Sequence, residues 1–259
     1  MTQSEIRRAL LTLGFDPDSV GLDKAVRLFQ ASRFGLAVDG KPGPKTQAAL
    51  SAALAARVPF SLAGALTVAN LRKVAPFARA DVLAAIVAAR IELEAADIVT
   101  KNRLHHFIAH AAHETAGFAR LEENLRYSAA RLVQVWPSRF PTLAAAQPYA
   151  LNPEKLANKV YGGRLGNVEA GDGWRYRGSG AFCTTGRANY REAGHEADPE
   201  ALRDPAKAVS SAVLYWRRRG LNAAAERDDI EATTRGINGG LIGLDDRRAY
   251  LAACRKYLV

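Results

Sequence analysis

The run KNRLHHFIAHAAHE, residues 101–114, constrains the fold of this chain more than any other segment. Apart from its polar ends and its histidines it is apolar, which indicates an amphipathic helix with a large apolar surface. The run ends on Glu114, and two more carboxyls follow at Glu122 and Glu123. The pattern predicts an amphipathic, largely apolar helix that ends in an acid, with a second acidic segment beyond Gly117.

The spacing of Glu114 and Glu123 restricts how the two carboxyls can meet. They are nine residues apart, about 2.5 helical turns, so one continuous helix would place them on opposite faces. They can face each other only if the helix stops between them, and Gly117 offers such a stop. An acid at the C-terminal end of an apolar helix opposes the helix dipole and is partly desolvated, and both effects favour its protonated form. We expect the second acid to be more exposed and ionised.

One protonated and one ionised carboxyl are what the cleavage of a glycosidic bond requires. The same spacing also fits two solvated glutamates, one on a helix and one on a loop. The spacing alone therefore leaves both interpretations open.

Four of the five histidines lie in the same run, at His105, His106, His110 and His113. Three of them fall on one side of a helix, a placement that could bind zinc. However, the segment HETAG lacks the second histidine that a zinc-peptidase helix carries four residues after the first. We expect histidines that lie in the core or support the acid, and a zinc amidase or peptidase is the alternative.

Charge and cysteine content limit the classes of partner and compartment. The 259 residues carry a formal net charge of +10, which favours an anionic partner such as nucleic acid, an anionic membrane or an acidic wall polymer. The start of the sequence lacks the apolar run of a signal sequence, and no stretch approaches membrane-spanning length. Cys183 and Cys254 do not imply a disulfide framework. We therefore expect a protein that is made in the cytoplasm with reduced cysteines.

The pattern of helices and turns predicts a mainly α chain in two parts. Residues 1–56 have the pattern of a compact module of three short helices, and residues 57–65 are predicted to be a linker. Residues 66–259 are again mostly helical, with a small irregular or β region near residues 160–185.

The N-terminal module resembles the peptidoglycan-binding module found at the ends of many wall hydrolases. The resemblance rests on a Phe-Gln helix followed by Gly-Leu, Val-Asp-Gly and Gly-Pro-Thr segments, with Lys45 inserted before the threonine. The matching positions are Phe29, Gln30, Gly35, Leu36, Val38, Asp39, Gly40, Gly43, Pro44 and Thr46.

Four motifs in the rest of the chain resemble glycoside hydrolase family 19, which contains chitinases and the lysozyme-like endolysins of bacteriophages. In order they are FIAHAAHETAGF, ENLRYSA, GDGWRYRGSGAFCTTGRANY and INGGLIGLDDRRAYL. The resemblance implies a lysozyme-like α fold with a small β part. It also implies an inverting mechanism with no metal or organic cofactor.

The resemblance also implies roles for individual residues. Glu114 matches the general acid, Glu123 the general base and Thr185 the hydroxyl that holds the attacking water. The residues that it assigns to substrate binding or to support of the acids are His113, Tyr127, Tyr176, Arg177, Cys183, Asn238 and Arg247. Cys183 stands where the family usually has a sugar-binding glutamine, and a thiol is a weaker hydrogen-bonding group.

Basic charge and a wall-binding module together resemble the phage endolysin branch of this family. The implied partner is peptidoglycan, bound by a monomer that neither binds nucleic acid nor inserts into a membrane and that acts on the wall after release from the cell. The alternatives are a chitinase that acts on chitin oligomers and a wall-binding protein with impaired catalysis.

Overall fold

The computed structural model describes residues 1–55 and 60–259. The predicted mainly α fold is confirmed, because eighteen α-helices and two short 3₁₀ turns, at Gln147–Tyr149 and Pro199–Arg203, form the described part of the chain. The helices are α1 (Gln3–Thr12), α2 (Pro17–Val20), α3 (Leu22–Ala31), α4 (Pro44–Ala55), α5 (Leu62–Ala65), α6 (Val68–Val74), α7 (Ala80–Ala88), α8 (Arg90–Ala95), α9 (Lys101–Glu114), α10 (Ala129–Val135), α11 (Leu143–Ala146), α12 (Pro153–Tyr161), α13 (Asp172–Arg175), α14 (Arg187–Glu192), α15 (Pro205–Arg218), α16 (Asn222–Glu226), α17 (Ile230–Asn238) and α18 (Leu244–Tyr257).

Helices α1 to α4 share a small apolar core of their own. Its buried centre is formed by Leu10, Val26, Phe29 and Leu50. Helix α1 begins with a capping box in which Thr2 and Glu5 satisfy each other's backbone N–H groups. These contacts give the N-terminal segment the elements of a separately packed unit.

The side chain of Gln30 closes the loop between α3 and α4. It is 1% exposed, and its amide donates to Asp39, to the Lys41 carbonyl and to Thr46. Its oxygen accepts from the backbone N–H groups of Asp39 and Gly40. Because Gly40 has a φ of +73° and any β-carbon there would collide with Asp23, the Val-Asp-Gly turn requires glycine.

Part of the predicted linker, residues 57–59, lies outside the described residues. The remainder differs from the prediction, because Leu62–Ala65 forms α5. Leu62 and Ala65 are buried in the large core of the following domain. We therefore propose that the C-terminal domain begins near residue 62.

Helix α9 lies in the centre of the largest apolar core. Every side chain from Leu104 to Ala112 is buried. Helix α18 packs along α9, and α16 and α17 contact it as well. Phe107 of α9 meets Trp216 of α15 edge-on, with ring centroids 5.6 Å apart. A helix buried on all sides has one fixed position, so it can place the acid at its end reproducibly.

The region near residues 160–185 contains loops, the short helix α13 and single β-bridges. Ser179 pairs with both Glu122 and Thr184, and the described residues contain no longer strand. The expected β region is thus reduced to these bridges, which hold the segment after Glu122 against the segment around Thr184. No helix among the described residues is long and apolar enough to cross a membrane.

Candidate active site

The predicted end of the acid-bearing helix is confirmed. Helix α9 ends at Glu114, and the next residues reverse the chain with positive φ angles at Ala116, Gly117 and Phe118. The hydroxyl of Thr115 donates to the Ala111 carbonyl and accepts from the Phe118 N–H. The chain then returns beside the Gly178 segment, where the N–H of the second acid, at position 123, donates to the Gly178 carbonyl. The two acids therefore lie on different segments instead of on opposite faces of one helix.

Glu114 is paired with Arg247 of α18. One guanidinium nitrogen of Arg247 contacts Glu114 Oε1, and another donates to His110 Nδ1 at 2.7 Å. The contact agrees with the predicted support of the acids by this arginine. Arg247 is 1% exposed, so a sugar cannot reach this guanidinium. It acts through Glu114, as a buried cation that fixes the position of the carboxyl.

A chain of buried hydrogen bonds continues from Arg247 away from the site. Burial, together with the Arg247 charge, lowers the pKa of His110 to about 2, so this imidazole is neutral. Because Nδ1 accepts from Arg247, the proton lies on Nε2, which donates to the Thr233 hydroxyl at 2.9 Å. Thr233 Oγ1 lies 3.1 Å from His106 Nδ1, and His106 Nε2 is 2.9 Å from Asp228.

These contacts explain why the run of histidines is not arranged as a metal site. The ring nitrogens of His106 and His110 are engaged in this chain, and His113 Nδ1 contacts Asp246 at 2.6 Å. Within residues 1–55 and 60–259, no group of three or more His, Cys, Asp or Glu side chains could hold a metal ion. His113 also lies directly under Gly243, where any β-carbon would collide with its ring. It thereby ties the end of α9 to the start of α18.

Glu123 has a different environment from Glu114. Its Oε2 accepts from the Tyr161 hydroxyl at 2.6 Å, and its Oε1 accepts from the Gly178 N–H at 2.5 Å. Burial raises the pKa of Glu123 above its usual value, whereas these two hydrogen bonds and Arg177 oppose the rise. The expectation of a more exposed second acid needs correction, since this carboxyl is only partly accessible and is enclosed by its donors.

Three side chains converge on Gly178. A β-carbon at this glycine would lie 2.6 Å from Cys183 Sγ, 3.1 Å from Thr185 Oγ1 and 3.2 Å from Glu123 Cδ. A larger residue would require these side chains to move, and the three predicted site residues therefore surround one point. The Thr185 hydroxyl donates to the Cys183 carbonyl at 2.9 Å, which leaves its oxygen lone pairs free to accept a hydrogen bond from a water molecule.

The pKa of the Cys183 thiol is affected by both carboxyls. Burial raises the pKa of its thiol to about 12, and the charges of Glu123 and Glu114 add to the rise. The thiol is therefore neutral and chemically inert near neutral pH. Both proposed catalytic carboxyls thus favour the neutral form of this thiol.

Tyr176 and Arg177 were predicted to contact substrate, and this prediction needs correction. Tyr176 is 2% exposed, packs on Tyr190 and donates to the Glu196 carbonyl. Arg177 is 6% exposed, stacks on Trp174 and pairs with Glu122. Both side chains support the cleft from below and are closed to a sugar.

The remaining predicted positions, Tyr127 and Asn238, make local contacts of their own. Tyr127 is partly buried against Trp136. Asn238 is exposed at the C-terminal end of α17 and contacts the Ile242 carbonyl.

Tyr161, His110 and Thr233 were not predicted for the site. Tyr161 is 38 positions from Glu123 and carries no local pattern that would reveal its contact.

Comparisons with known proteins agree with this description of the fold. Residues 4–50 match the family described as "Putative peptidoglycan binding domain". A "Glycosyl hydrolase family 19 domain-containing protein" of Haemophilus influenzae is 39% identical over 185 residues, which are 69% of this chain and 90% of that protein.

Two solved structures are also similar to this chain. Chitinase C from Streptomyces griseus HUT6037 shares the fold at a TM-score of 0.50 and 19% identity, over 75% of this chain and 76% of that one. A bacterial family 19 chitinase matches at a TM-score of 0.41 and 20% identity, over 73% and 95% of the two chains. The similarity to the Haemophilus influenzae protein identifies this chain as a glycosidase. The chain belongs to glycosyl hydrolase family 19.

Proposed function

We propose that this protein is an endolysin-type glycosidase that cleaves the β-1,4 bonds of peptidoglycan glycan strands by inversion and thereby lyses bacteria. The observation that carries the proposal is the presence of a peptidoglycan-binding domain and a family 19 domain in one chain. The net charge of +10 supports it further, since bacterial walls are anionic polymers.

Glu114 is proposed as the general acid. In the reaction it donates its proton to the oxygen of the departing sugar, while the bond between that oxygen and the anomeric carbon breaks. The carboxyl becomes negatively charged in this step, and the buried Arg247 guanidinium beside it compensates the new charge. Arg247 cannot itself be the acid, because a guanidinium does not release its proton in proteins.

Glu123 is proposed as the general base. It takes a proton from water as the water oxygen bonds to the anomeric carbon on the opposite face of the sugar. Thr185 would accept the water's other hydrogen, which aims the water's lone pair at the anomeric carbon. Inverting pairs stand roughly 6.5–9.5 Å apart because a water must fit between carboxylate and sugar. The hydrogen bonds that Tyr161 and Gly178 donate to this carboxyl support a base with a fixed orientation.

The test is digestion of purified peptidoglycan followed by mass spectrometry of the fragments. A new reducing end on an amino sugar is expected, and NMR during the first turnover should show its α-anomer, the product of inversion at a β-bond. Chitin oligomers are digested in parallel. Cleavage of chitin without cleavage of peptidoglycan would replace the proposal by a chitinase, and loss of stem peptides without new reducing ends would indicate an amidase.

A further inference from the structure

A cavity of about 170 Å³ opens beside the proposed base side of the cleft. Thr185 and Cys183 form part of its wall, so it adjoins the groups that surround Gly178. Its volume is well above the ~10–15 Å³ that a single water occupies. A substituent of a bound glycan can therefore enter it.

One wall of the cavity is apolar and its rim is charged. Phe182 and Ile237 are among the apolar lining residues, and Arg218, Arg219 and Glu192 are exposed at the rim. Arg218 donates to the Glu192 carbonyl, which fixes one side of the rim. The guanidinium of Arg219 lies over the ring of Tyr215, 5.1 Å from its centroid, and the residue is exposed.

The side chain of Tyr215 forms part of the cavity lining. Burial raises the pKa of the Tyr215 hydroxyl, Arg219 opposes the rise, and the charges of Glu192 and Glu114 add to it. Thr185, in the lining of the same cavity, lies beside Glu123 at Gly178. A glycan bound at Glu123 would therefore place one of its substituents at the cavity mouth.

Resting on the proposed function, we propose that this cavity binds the peptide stem of peptidoglycan and that Arg219, supported by Arg218, binds a stem carboxylate. Peptidoglycan differs from chitin by the lactyl group and the short peptide on every second sugar. The stem is anionic and begins with small apolar groups, whereas chitin sugars carry no charge. An apolar wall with a cationic rim matches the stem and offers nothing to a chitin sugar in particular.

Arginine is well suited to this task, because its planar donors bind a carboxylate in a bidentate geometry. Glu192 adds an anion at the same rim, and a stem that carries a free amine as well as carboxylates can satisfy both signs. The rim would therefore select for the peptide-bearing strand over its neutral relative.

The experiment compares Arg219→Ala with Arg217→Ala. Arg217 is also exposed and stands two positions away at the end of the same helix, but it does not line the cavity. Each substitution is made in the active chain and in a Glu114→Gln background that leaves the ligand intact. The probes are a soluble peptidoglycan fragment with its peptide stems and a chitin oligomer of the same length. Calorimetry gives the two Kd values, and reducing-end assays give the two kcat/KM values.

We expect Arg219→Ala to lower the preference for the peptide-bearing probe, measured as the ratio of the two Kd values, by about three- to tenfold. Arg219→Glu should lower it more, and Arg217→Ala should leave it unchanged. An equal effect of Arg217→Ala and Arg219→Ala would overturn the inference, because the charge would then act without a defined site. If Arg219→Ala changes the binding ratio but the active chain cuts no peptidoglycan, the proposed function fails while the binding site stands.

Discussion

The two carboxyls of the cleft are held by different kinds of partner. Glu114 faces a buried arginine, whereas Glu123 accepts hydrogen bonds from a tyrosine hydroxyl and a main-chain amide. A permanent cation keeps one oxygen of its carboxyl in place throughout the reaction. Neutral donors instead hold a base without cancelling its charge. This difference matches the proposed division into acid and base.

Removal of either proposed catalytic carboxyl should abolish most of the activity. Glu114→Gln cannot deliver a proton and Glu123→Gln cannot accept one, and general acid or base assistance contributes about 10²- to 10⁴-fold each. Reducing-end release should fall by that factor or more while circular dichroism is unchanged. Glu154→Gln is the matched control, because Glu154 is exposed on the surface. Unimpaired cleavage by both variants would refute the proposed mechanism.

Glu122 is not a neutral control, although it is adjacent to Glu123. Its carboxyl pairs with Arg177 and lies 3.0 Å from Arg203 Nε, two arginines that are mostly buried. Glu122→Gln removes one of the two carboxylates that these guanidinium groups contact, the other being Glu200. We expect the free energy of unfolding to fall by about 1–3 kcal/mol, measured by urea denaturation. An unchanged unfolding midpoint would show that this ion pair does not contribute to stability.

The hydroxyl of Tyr161 should set the acidic limb of the pH profile. Burial raises the pKa of Glu123, and the Tyr161 hydrogen bond opposes the rise by stabilising the ionised form. Tyr161→Phe removes that opposition, so Glu123 becomes protonated at a higher pH and the base is lost sooner on acidification. The acidic limb of kcat/KM should therefore move to higher pH, with the plateau largely retained. Tyr149→Phe should leave the limb in place, and a shift of the Tyr161→Phe limb to lower pH would contradict the argument.

Among the helices, α9, α17 and α18 are joined by the buried polar chain that ends at Glu114. Thr233 of α17 lies between His106 and His110 of α9, and Arg247 of α18 connects His110 to the acid. A buried polar chain of this kind fixes helices relative to one another only while each group has its partner.

Thr233→Val should break this chain at its middle. The substitution keeps the shape but removes the hydroxyl, which leaves buried imidazole nitrogens without a partner and costs about 1–3 kcal/mol of unfolding free energy. Because Glu114 loses a fixed support, kcat should fall, whereas KM should change by a smaller factor. Thr234→Val is the control: Thr234 is equally buried but donates to Ile230 of its own helix. Equal effects of the two variants would mean that the chain has no special role.

The end of α9 could be predicted from sequence because it depends on local patterns: an apolar run, an acid and Gly117. The segment motifs likewise placed Glu123, Thr185 and Cys183 in one site. The contact of Tyr161 with Glu123 could not be predicted, because it depends on how loops pack across 38 positions. Tyr176 and Arg177 were misassigned for a related reason: a motif gives the identity of a residue but not its burial.

At the scale of the whole chain, most of the net positive charge lies outside the N-terminal part. Residues 1–55 contain seven basic and five acidic residues, a net charge of +2, so +8 of the +10 lies in the rest of the chain. Contacts between the two parts include Arg227 and Asp16, 3.9 Å apart, and the N-terminal core is formed by its own helices.

Deletion of residues 1–58 should therefore distinguish wall binding by the N-terminal module from wall binding by net positive charge. The truncated enzyme should remain folded and cleave soluble glycan at an unchanged rate, because domains with separate cores usually fold alone. Its binding to isolated walls should be weaker and should disappear at high salt, since most of the charge remains and is screened. The full chain should retain a salt-resistant fraction in a wall pull-down. An insoluble truncated protein would refute the two-domain organisation.

Glu123 accepts one hydrogen bond from a main-chain amide, that of Gly178, and no side-chain substitution removes this donor. A β-carbon at this glycine would lie 2.6 Å from Cys183 Sγ. Any change in the contacts offered to a sugar here must therefore come from neighbouring side chains such as Cys183. The hydrogen bond from the amide to the proposed base does not depend on which side chain stands at position 183.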